Sequence, residues 1–251
     1  MGEFELIERV EIDPTPPPCP PTQDELPYED DIPMESERHK LQMELLLETL
    51  QPWLAQRGDG YAGGNMFLYF SLAQTRGQYF RGPDVFVVLG VPRGERKSWV
   101  VWEEGKAPDV IIELLSDSTR ERDKTLKKKV YREQLRIPKY YWYDPFNPDD
   151  WAGFRLSGME YQPLEPDESG RMWSQRLQLG LLRWSGSYRG VSAIWLRWAT
   201  PQGELLPTGE ERAERERQRA ERAEQSLLAA QQRIAELEAR LQTAGKQGAG
   251  D

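Results

Sequence analysis

The first half of the chain changes from a helical to an extended spacing of apolar residues. In residues 35–57, apolar side chains recur every three or four positions, which predicts a helix with Ser36 as its N-cap. The runs MFLYFSL and GPDVFVVLGV are typical of strands, and the Gly63-Gly64 pair between helix and strands is typical of a hairpin or bulge. A helix followed by antiparallel strands is therefore expected.

The centre of the chain has the pattern of a strand–helix–strand unit. KSWVVWEEG indicates a short strand, and PDVIIELLS is an apolar run suited to a strand buried on both faces. STRERDKTLKKKVYREQL predicts a helix that Pro138 ends, and KYYWYDP predicts the next strand. After Asp150, short strands alternate with turns. The fold class expected is α/β, with a mixed sheet flanked by helices and an added β-rich flap.

The last part of the chain carries a heptad pattern. Counting from Ala213 as position a, nine of the ten a and d positions are apolar, which predicts a C-terminal coiled coil over residues 205–245. We favour self-association into a homo-oligomer; the alternative is a solitary solvated helix. The a positions are Ala213, Ala220, Leu227, Ile234 and Leu241, and the d positions are Glu216, Ala223, Ala230, Leu237 and Ala244.

Composition divides the 251 residues further. Residues 1–33 are rich in proline and acids and predict an extended acidic arm, whereas residues 34–200 hold nearly all the aromatics and predict the globular domain. The net charge is −9, but residues 1–37 alone contribute −11 and the remainder is +2. Residues 120–139, the basic run, hold nine Lys or Arg against three acids. The overall charge therefore excludes no nucleic-acid partner.

Several classes of protein are excluded by what the chain lacks. Cys19 is the only cysteine, so neither an internal disulfide nor a thiolate zinc site is possible. His39 is the only histidine, which excludes a Ser-His-Asp triad, and we expect it to have a surface or capping role. No apolar stretch is long enough to span a membrane and no secretory signal is visible, so a cytoplasmic protein is expected.

Two acids and a lysine could form a catalytic site. Asp84 opens an apolar strand and Glu113 lies inside the buried one, where a carboxylate must be paired, protonated or bound to a cation. Acids at one end of neighbouring strands suit a hard cation. On the following helix, Lys127 shares a face with Asp123 and Tyr131, and its charge could support an attacked phosphate. Tyr131 itself is expected to be a core residue.

These residues lie in segments that resemble a known family. RGPDVFVVL and PDVIIELLSDSTRERDKTLKKKVYREQLRIPKYYWYDP resemble the Uma-two family of bacterial proteins classed as restriction endonucleases, within the PD-(D/E)XK superfamily, and the similarity extends over residues 28–200. The resemblance implies a restriction-endonuclease-like fold. It also implies an endonuclease that depends on Mg²⁺ or Mn²⁺ and hydrolyses phosphodiester bonds, with DNA as the expected nucleic acid.

The resemblance also implies roles for individual residues. Asp84 matches the first metal-binding acid, Glu113 matches the acid of the (D/E)XK element, and the Leu114 carbonyl is a further candidate ligand. Leu115 stands where that element has its lysine. Relatives show the same departure, with a lysine of the next helix as the replacement. Lys127 fits that place better than its neighbours, Lys128 and Lys129.

Other interpretations remain open at this point. Asp84 could merely cap a turn, and Glu113 could be a core acid paired with an arginine such as Arg81. The chain could be a non-catalytic nucleic-acid-binding or assembly protein whose acidic arm occupies the basic run, in which case deleting residues 1–33 would strengthen DNA binding. A glycosidase pair of acids is a third reading, and a test of metal dependence separates it from a nuclease. Phosphate contacts by the basic run would be independent of base sequence.

Overall fold

The computed structural model describes residues 19–27, 36–72 and 82–247. Helix α1 spans Glu37–Arg57 and begins at Ser36, whose Oγ accepts a hydrogen bond from the backbone N–H of His39 at 3.3 Å. Gly58 ends it with φ of 82°, a left-handed conformation that glycine adopts without strain. The predicted helix and its serine cap are confirmed.

A six-stranded mixed sheet forms the centre of the molecule, in the order β1-β3-β5-β6-β7-β8. Neighbouring strands are antiparallel except β5 and β6, which run parallel because a helical crossover joins them. The expected mixed α/β core with a central strand–helix–strand unit is confirmed. The strands are β1 (Tyr61–Gly64), β3 (Val85–Val88), β5 (Val110–Leu114), β6 (Lys139–Tyr143), β7 (Trp151–Ser157) and β8 (Glu160–Leu164).

Two smaller sheets accompany the central one. Strand β2 (Leu68–Tyr69) pairs in parallel with β4 (Trp99–Val100), which continues as a short helix, α2 (Val101–Glu104). The third sheet has the order β11-β10-β9 and consists of β9 (Met172–Ser174), β10 (Leu179–Tyr188) and β11 (Val191–Ala199). The strands expected from MFLYFSL and KSWVVWEEG therefore shrink to two residues each.

The Gly63-Gly64 pair lies in strand β1, where it pairs residue for residue with β3, and the expectation of a hairpin or bulge is wrong. Gly63 is opposite Phe86 of β3, and a Cβ at this position would lie 2.7 Å from the Phe86 ring. Glycine is therefore needed for close packing against an aromatic side chain and not for a turn.

The central sheet is covered on both faces. Leu46, Leu50 and Leu54 of α1 pack with the third sheet against one face. The other face packs against the crossover helix, through Tyr131, and against the β2–β4 pair, through Trp99. All five residues of β5 are buried as a result, as the apolar run predicted.

The described part of the acidic arm, residues 19–27, lies against the β2–β4 pair. Leu26 is buried beside Tyr69 and Val100. The Tyr69 hydroxyl donates a hydrogen bond to the Pro27 carbonyl at 2.6 Å. Residues 1–18 and 28–33 of the predicted arm lie outside the described residues, and the limits 1–33, 34–200 and 205–245 stay predictions.

The C-terminal helix α5 (Gly209–Gln247) is joined to the domain by an ion pair whose arginine is buried. Arg197 of β11 is 1% exposed and binds the Glu211 carboxylate, with Nη2 at 2.7 Å from Oε2. Thr208 and Glu211 form a reciprocal capping box, and the Glu48 carboxylate accepts a hydrogen bond from the Gly209 N–H. No helix of the described residues is long and apolar enough to cross a membrane.

We predict that Glu211→Gln destabilises the chain more than Glu214→Gln. Glutamine can still complete the capping box, so the first change removes mainly the charge that compensates buried Arg197, at a cost of about 2 kcal/mol. Glu214 pairs with Arg217 at the surface, where the expected loss is below about 0.5 kcal/mol. Denaturant unfolding of both variants measures this, and equal losses would contradict it.

Candidate functional site

Strands β3 and β5 bring two acids together. Phe86 pairs with Ile111 in the antiparallel register, and continuing that register by two residues sets Asp84 opposite Glu113 on the same face. Asp84 immediately precedes β3, and its Oδ2 accepts a hydrogen bond from the Leu114 N–H at 2.7 Å. The two acids singled out from the sequence are therefore cross-strand neighbours.

The Glu113 carboxylate is fully buried and held by two donors from the crossover helix. Its Oε2 lies 2.9 Å from the Lys127 ammonium, and its Oε1 accepts a hydrogen bond from the Tyr131 hydroxyl at 2.6 Å. Both donors lie on the same helical face, as their spacing indicated. Arg81, the partner considered from the sequence, lies outside the described residues.

The crossover helix contains a π-helical turn at the site. It runs through α3 (Arg120–Arg122), the π-helical turn (Asp123–Lys127) and α4 (Lys128–Glu133). Within it the Lys128 N–H bonds to the Asp123 carbonyl, five residues earlier, and the Tyr140 hydroxyl donates to the same carbonyl at 2.9 Å. Such turns are rare and frequent at functional sites.

A third carboxylate, that of Asp123, completes the cluster. Asp123 is 1% exposed, and its Oδ1 lies 2.8 Å from the Lys127 ammonium. Lys127 thus bridges Glu113 on the sheet and Asp123 on its own helix. We call Asp84, Glu113, Asp123 and Lys127 the acidic cluster.

Burial and mutual repulsion shift the pKa values of the acidic cluster. Burial raises the pKa of Glu113 to about 7, with Lys127 opposing and Asp84 adding to the rise. Burial likewise raises the pKa of Asp123 to about 6 and raises that of Asp84. Burial acts to lower the pKa of Lys127, but the three carboxylates outweigh it and raise the pKa, so the ammonium stays charged.

The acidic cluster has the donors and charge that suit a divalent cation. With all groups ionised it carries two more negative charges than positive ones, in a place where water is largely excluded. Because N–H and C=O of one strand residue point to the same edge, the Leu114 carbonyl faces the side on which Asp84 lies. Two carboxylates, a carbonyl and water form an oxygen ligand set. No group of three or more His, Cys, Asp or Glu among the described residues is arranged to hold a metal by itself.

The neighbouring lysines point elsewhere. The Lys128 ammonium lies 3.4 Å from the centre of the Phe154 ring, and Lys129 is exposed. Leu115, at the usual lysine position, is fully buried and its N–H bonds to the Tyr143 carbonyl. Of the three lysines considered from the sequence, the structure brings Lys127 to Glu113.

Acids of the domain already pair with much of the basic run. The Lys124 ammonium lies 2.7 Å from Asp150, Arg120 binds Asp144 at 2.6 Å, and Arg132 pairs with an acid of β8. These pairs hold the crossover helix against the sheet. The run therefore offers fewer charges to phosphate than its composition indicates.

His39 is buried, and so the expectation of a surface position is wrong. The other role expected of it, in capping helix α1, is present as a contact with Ser36. One ring nitrogen lies 2.7 Å from the Ser36 hydroxyl, and the other lies 2.9 Å from the Leu115 carbonyl oxygen. It therefore ties the start of α1 to the end of β5. Glu44 and Glu48 on the same helix pair with Arg189.

Comparison with models of protein families identifies the family of the chain. The model of the Uma2 family, described as "Putative restriction endonuclease", matches residues 29–185. This match spans more than half of the sequence, and the chain belongs to the Uma2 family.

Among solved structures, the chain is similar to the crystal structure of "a putative nuclease belonging to DUF820 from Anabaena variabilis ATCC 29413". It is 19% identical with a TM-score of 0.43, and the alignment covers 63% of this chain and 91% of that one. A search of curated proteins finds no significant match.

Two features of the site are not apparent from the amino-acid sequence. Tyr131 was expected in the core, and it is buried, but its hydroxyl also orients Glu113; its position four residues after Lys127 was the available signal. The π-helical turn leaves no comparable mark in the sequence, because no glycine or proline interrupts the helical pattern there.

In the presence of a chelator, we predict that stability falls as pH rises from about 5 to 8. Glu113 and Asp123 have folded-state pKa values of about 7 and 6, above their ordinary 4.5 and 3.8, so the folded chain binds more protons in this range. The thermal midpoint should fall by on the order of 5 °C. The Glu113→Gln variant should show a weaker dependence of the thermal midpoint on pH, whereas Glu121→Gln, at an exposed position, should keep the wild-type dependence. The same pH dependence in the wild type and in Glu113→Gln would contradict the prediction.

Proposed function

We propose that the chain is a metal-dependent endonuclease that hydrolyses phosphodiester bonds of DNA at the acidic cluster. The observation that carries the proposal is the convergence of Asp84, Glu113 and Lys127 in a chain of the Uma2 family. Residues of three separate elements meet there, although a buried group of charges is costly to maintain. Sites that bear such a cost are commonly functional.

Asp84, Glu113 and the Leu114 carbonyl would hold Mg²⁺ or Mn²⁺. When bound, the cation supplies positive charge that polarises the scissile phosphate and acidifies a nearby water. The charge excess of the acidic cluster supports a divalent ion over a monovalent one. The Leu114 N–H fixes one oxygen of Asp84, and Tyr131 fixes one oxygen of Glu113, so both carboxylates are oriented before a ligand arrives.

Lys127 would act directly on the phosphate. Its ammonium has three N–H donors, of which the hydrogen bond to Glu113 uses one, so a donor remains that can reach a phosphate oxygen beside the ion pair with Asp123. Charge that develops on the phosphate in an in-line attack would be stabilised there. Asp123 would be a positioning residue, since it holds Lys127 and adds negative charge that keeps the ammonium protonated.

We predict that Lys127→Met and Asp84→Asn both strongly reduce cleavage but differ in cation binding. Loss of the lysine should reduce cleavage of mixed-sequence DNA about 100-fold or more, while Mn²⁺ binding measured by calorimetry persists. Loss of Asp84 should remove both. Lys128→Met, at the adjacent ring-packed lysine, is the matched control and should cleave like the wild type.

Wild-type protein that binds no Mn²⁺ would make the acids structural and refute the proposal. Cleavage that persists without a divalent cation would refute the metal requirement. Preferential cleavage of RNA would show that RNA, and not DNA, is the substrate. Self-association and a cytoplasmic location stay predictions of the sequence.

The alternative, a non-catalytic nucleic-acid-binding or assembly protein, is favoured by Leu115 at the usual lysine position. Truncation of the acidic arm tests this alternative. Deleting residues 1–33 would remove buried Leu26, so truncation after residue 18 is the sharper variant. If the arm competes with DNA, this truncation should tighten DNA binding at low salt, with a smaller effect at high salt. Unchanged binding at both salt concentrations would exclude competition by that segment.

A further inference from the structure

Helix α5 presents a row of large apolar side chains to solvent. Every described residue from 215 to 237 is exposed. Among them Leu227, Ile234 and Leu237 are 60%, 55% and 44% exposed, and all three occupy a or d positions of the heptad. We call the stripe formed by the a and d positions the apolar seam. Aliphatic side chains repeated along one stripe of a helix are typical of a surface that is covered by a partner.

We propose that a second copy of this chain covers the apolar seam, as a parallel, in-register, two-stranded coiled coil. The charges beside the seam select this partner and this orientation. In a parallel pair, each g residue faces the e residue five positions further along the partner helix. Arg219 at g then faces position 224, and Arg233 at g faces position 238; both e positions are glutamates in the sequence. In the pair, these glutamates would share or replace the partners that the two arginines have on their own helix, Glu216 and Glu236.

The antiparallel alternative brings like charges together. In that orientation g positions face g positions, and four of the five g residues are arginines. Their repulsion disfavours it, whereas the parallel pairing of the distal heptads has only attractive or neutral pairs. The g residues are Arg212, Arg219, Ser226, Arg233 and Arg240.

The proposed contact strengthens with distance from the domain. Near the domain, Arg212 at g would face Arg217 at e, and Glu216 occupies a d position. Arg217 is already paired with Glu214 on its own helix, and Glu216 with Arg219. The first heptad therefore adds little, and the contact rests on the segment from Ala220 onward.

A parallel pair has a consequence for the whole particle. The first turn of α5 is fixed to the domain through Arg197, Glu211 and Glu48, so both globular domains lie at the same end of the coiled coil. Two acidic clusters would then be carried side by side. The association itself does not depend on nuclease activity, so the two proposals can fail independently.

The mass of the full-length chain in solution tests the association. Sedimentation equilibrium should give twice the chain mass, and Ile234→Glu should weaken association by roughly 100-fold, because it would bury two carboxylates in the seam. Leu228→Glu is the matched control: Leu228 is 56% exposed on the same helix but lies at b, and it should leave the dimer intact. A monomer, a larger oligomer, or a dimer insensitive to Ile234→Glu would overturn the proposal.

Disulfide cross-linking tests the orientation, in a Cys19→Ser background. Ala223→Cys and Ala230→Cys, each tested alone, place a thiol at a d position, and both should give a cross-linked dimer on oxidation. Only a parallel, in-register pair sets two different positions each opposite its own copy, since an antiparallel pair can do so at one position only. Ala229→Cys, at position c, is the control and should remain uncross-linked. Cross-linking at just one d position, or at neither, would overturn the parallel arrangement.

Discussion

The burial of the Glu113 carboxylate is the constraint around which the domain is organised. Strand β5 is covered on both faces, so this group has lost its water and must be compensated by protein donors. Lys127 and Tyr131 supply them, and both come from the crossover helix. The pairing therefore does more than neutralise a charge: it fixes the rotation and height of the helix above the sheet. Replacing one partner alone would leave the other buried and unpaired, which is the costly case for ion pairs.

The same arrangement leaves the site short of positive charge. One ammonium stands among three carboxylates, and burial raises the pKa of Glu113 and of Asp123 because their negative charges are incompletely offset. A purely structural core would be more stable with fewer acids. The excess of oriented carboxylate oxygens lowers the stability of the domain, and the divalent cation proposed to bind there would offset that loss.

The site residues that could be predicted from the sequence are those that stand out by their burial or by their helical spacing. Glu113 could be recognised because a carboxylate interrupts a continuous apolar run, and Lys127 because it repeats at helical spacing with Asp123 and Tyr131. The π-helical turn could not be recognised from the sequence, since it is supported by tertiary contacts such as the hydrogen bond that the Tyr140 hydroxyl donates to the Asp123 carbonyl. Strand β1 was missed for a related reason: its two glycines are typical of a turn, and only the structure shows the Phe86 ring packed against Gly63.

The two parts of helix α5 differ in their contacts: its first turn is bound to the domain, and residues 215–237 are exposed. At the domain end, a fully buried arginine and a capping box hold the helix, so its direction is set by the fold of β11. Further along, the ion pairs lie within the helix itself, as between Arg233 and Glu236, and stabilise the helix without covering Leu227 or Ile234. A helix that needed only solubility would carry polar residues at those positions. Because apolar residues occupy the seam and the charges that flank it are arginine on one side and glutamate on the other, the helix is complementary to a parallel copy of itself.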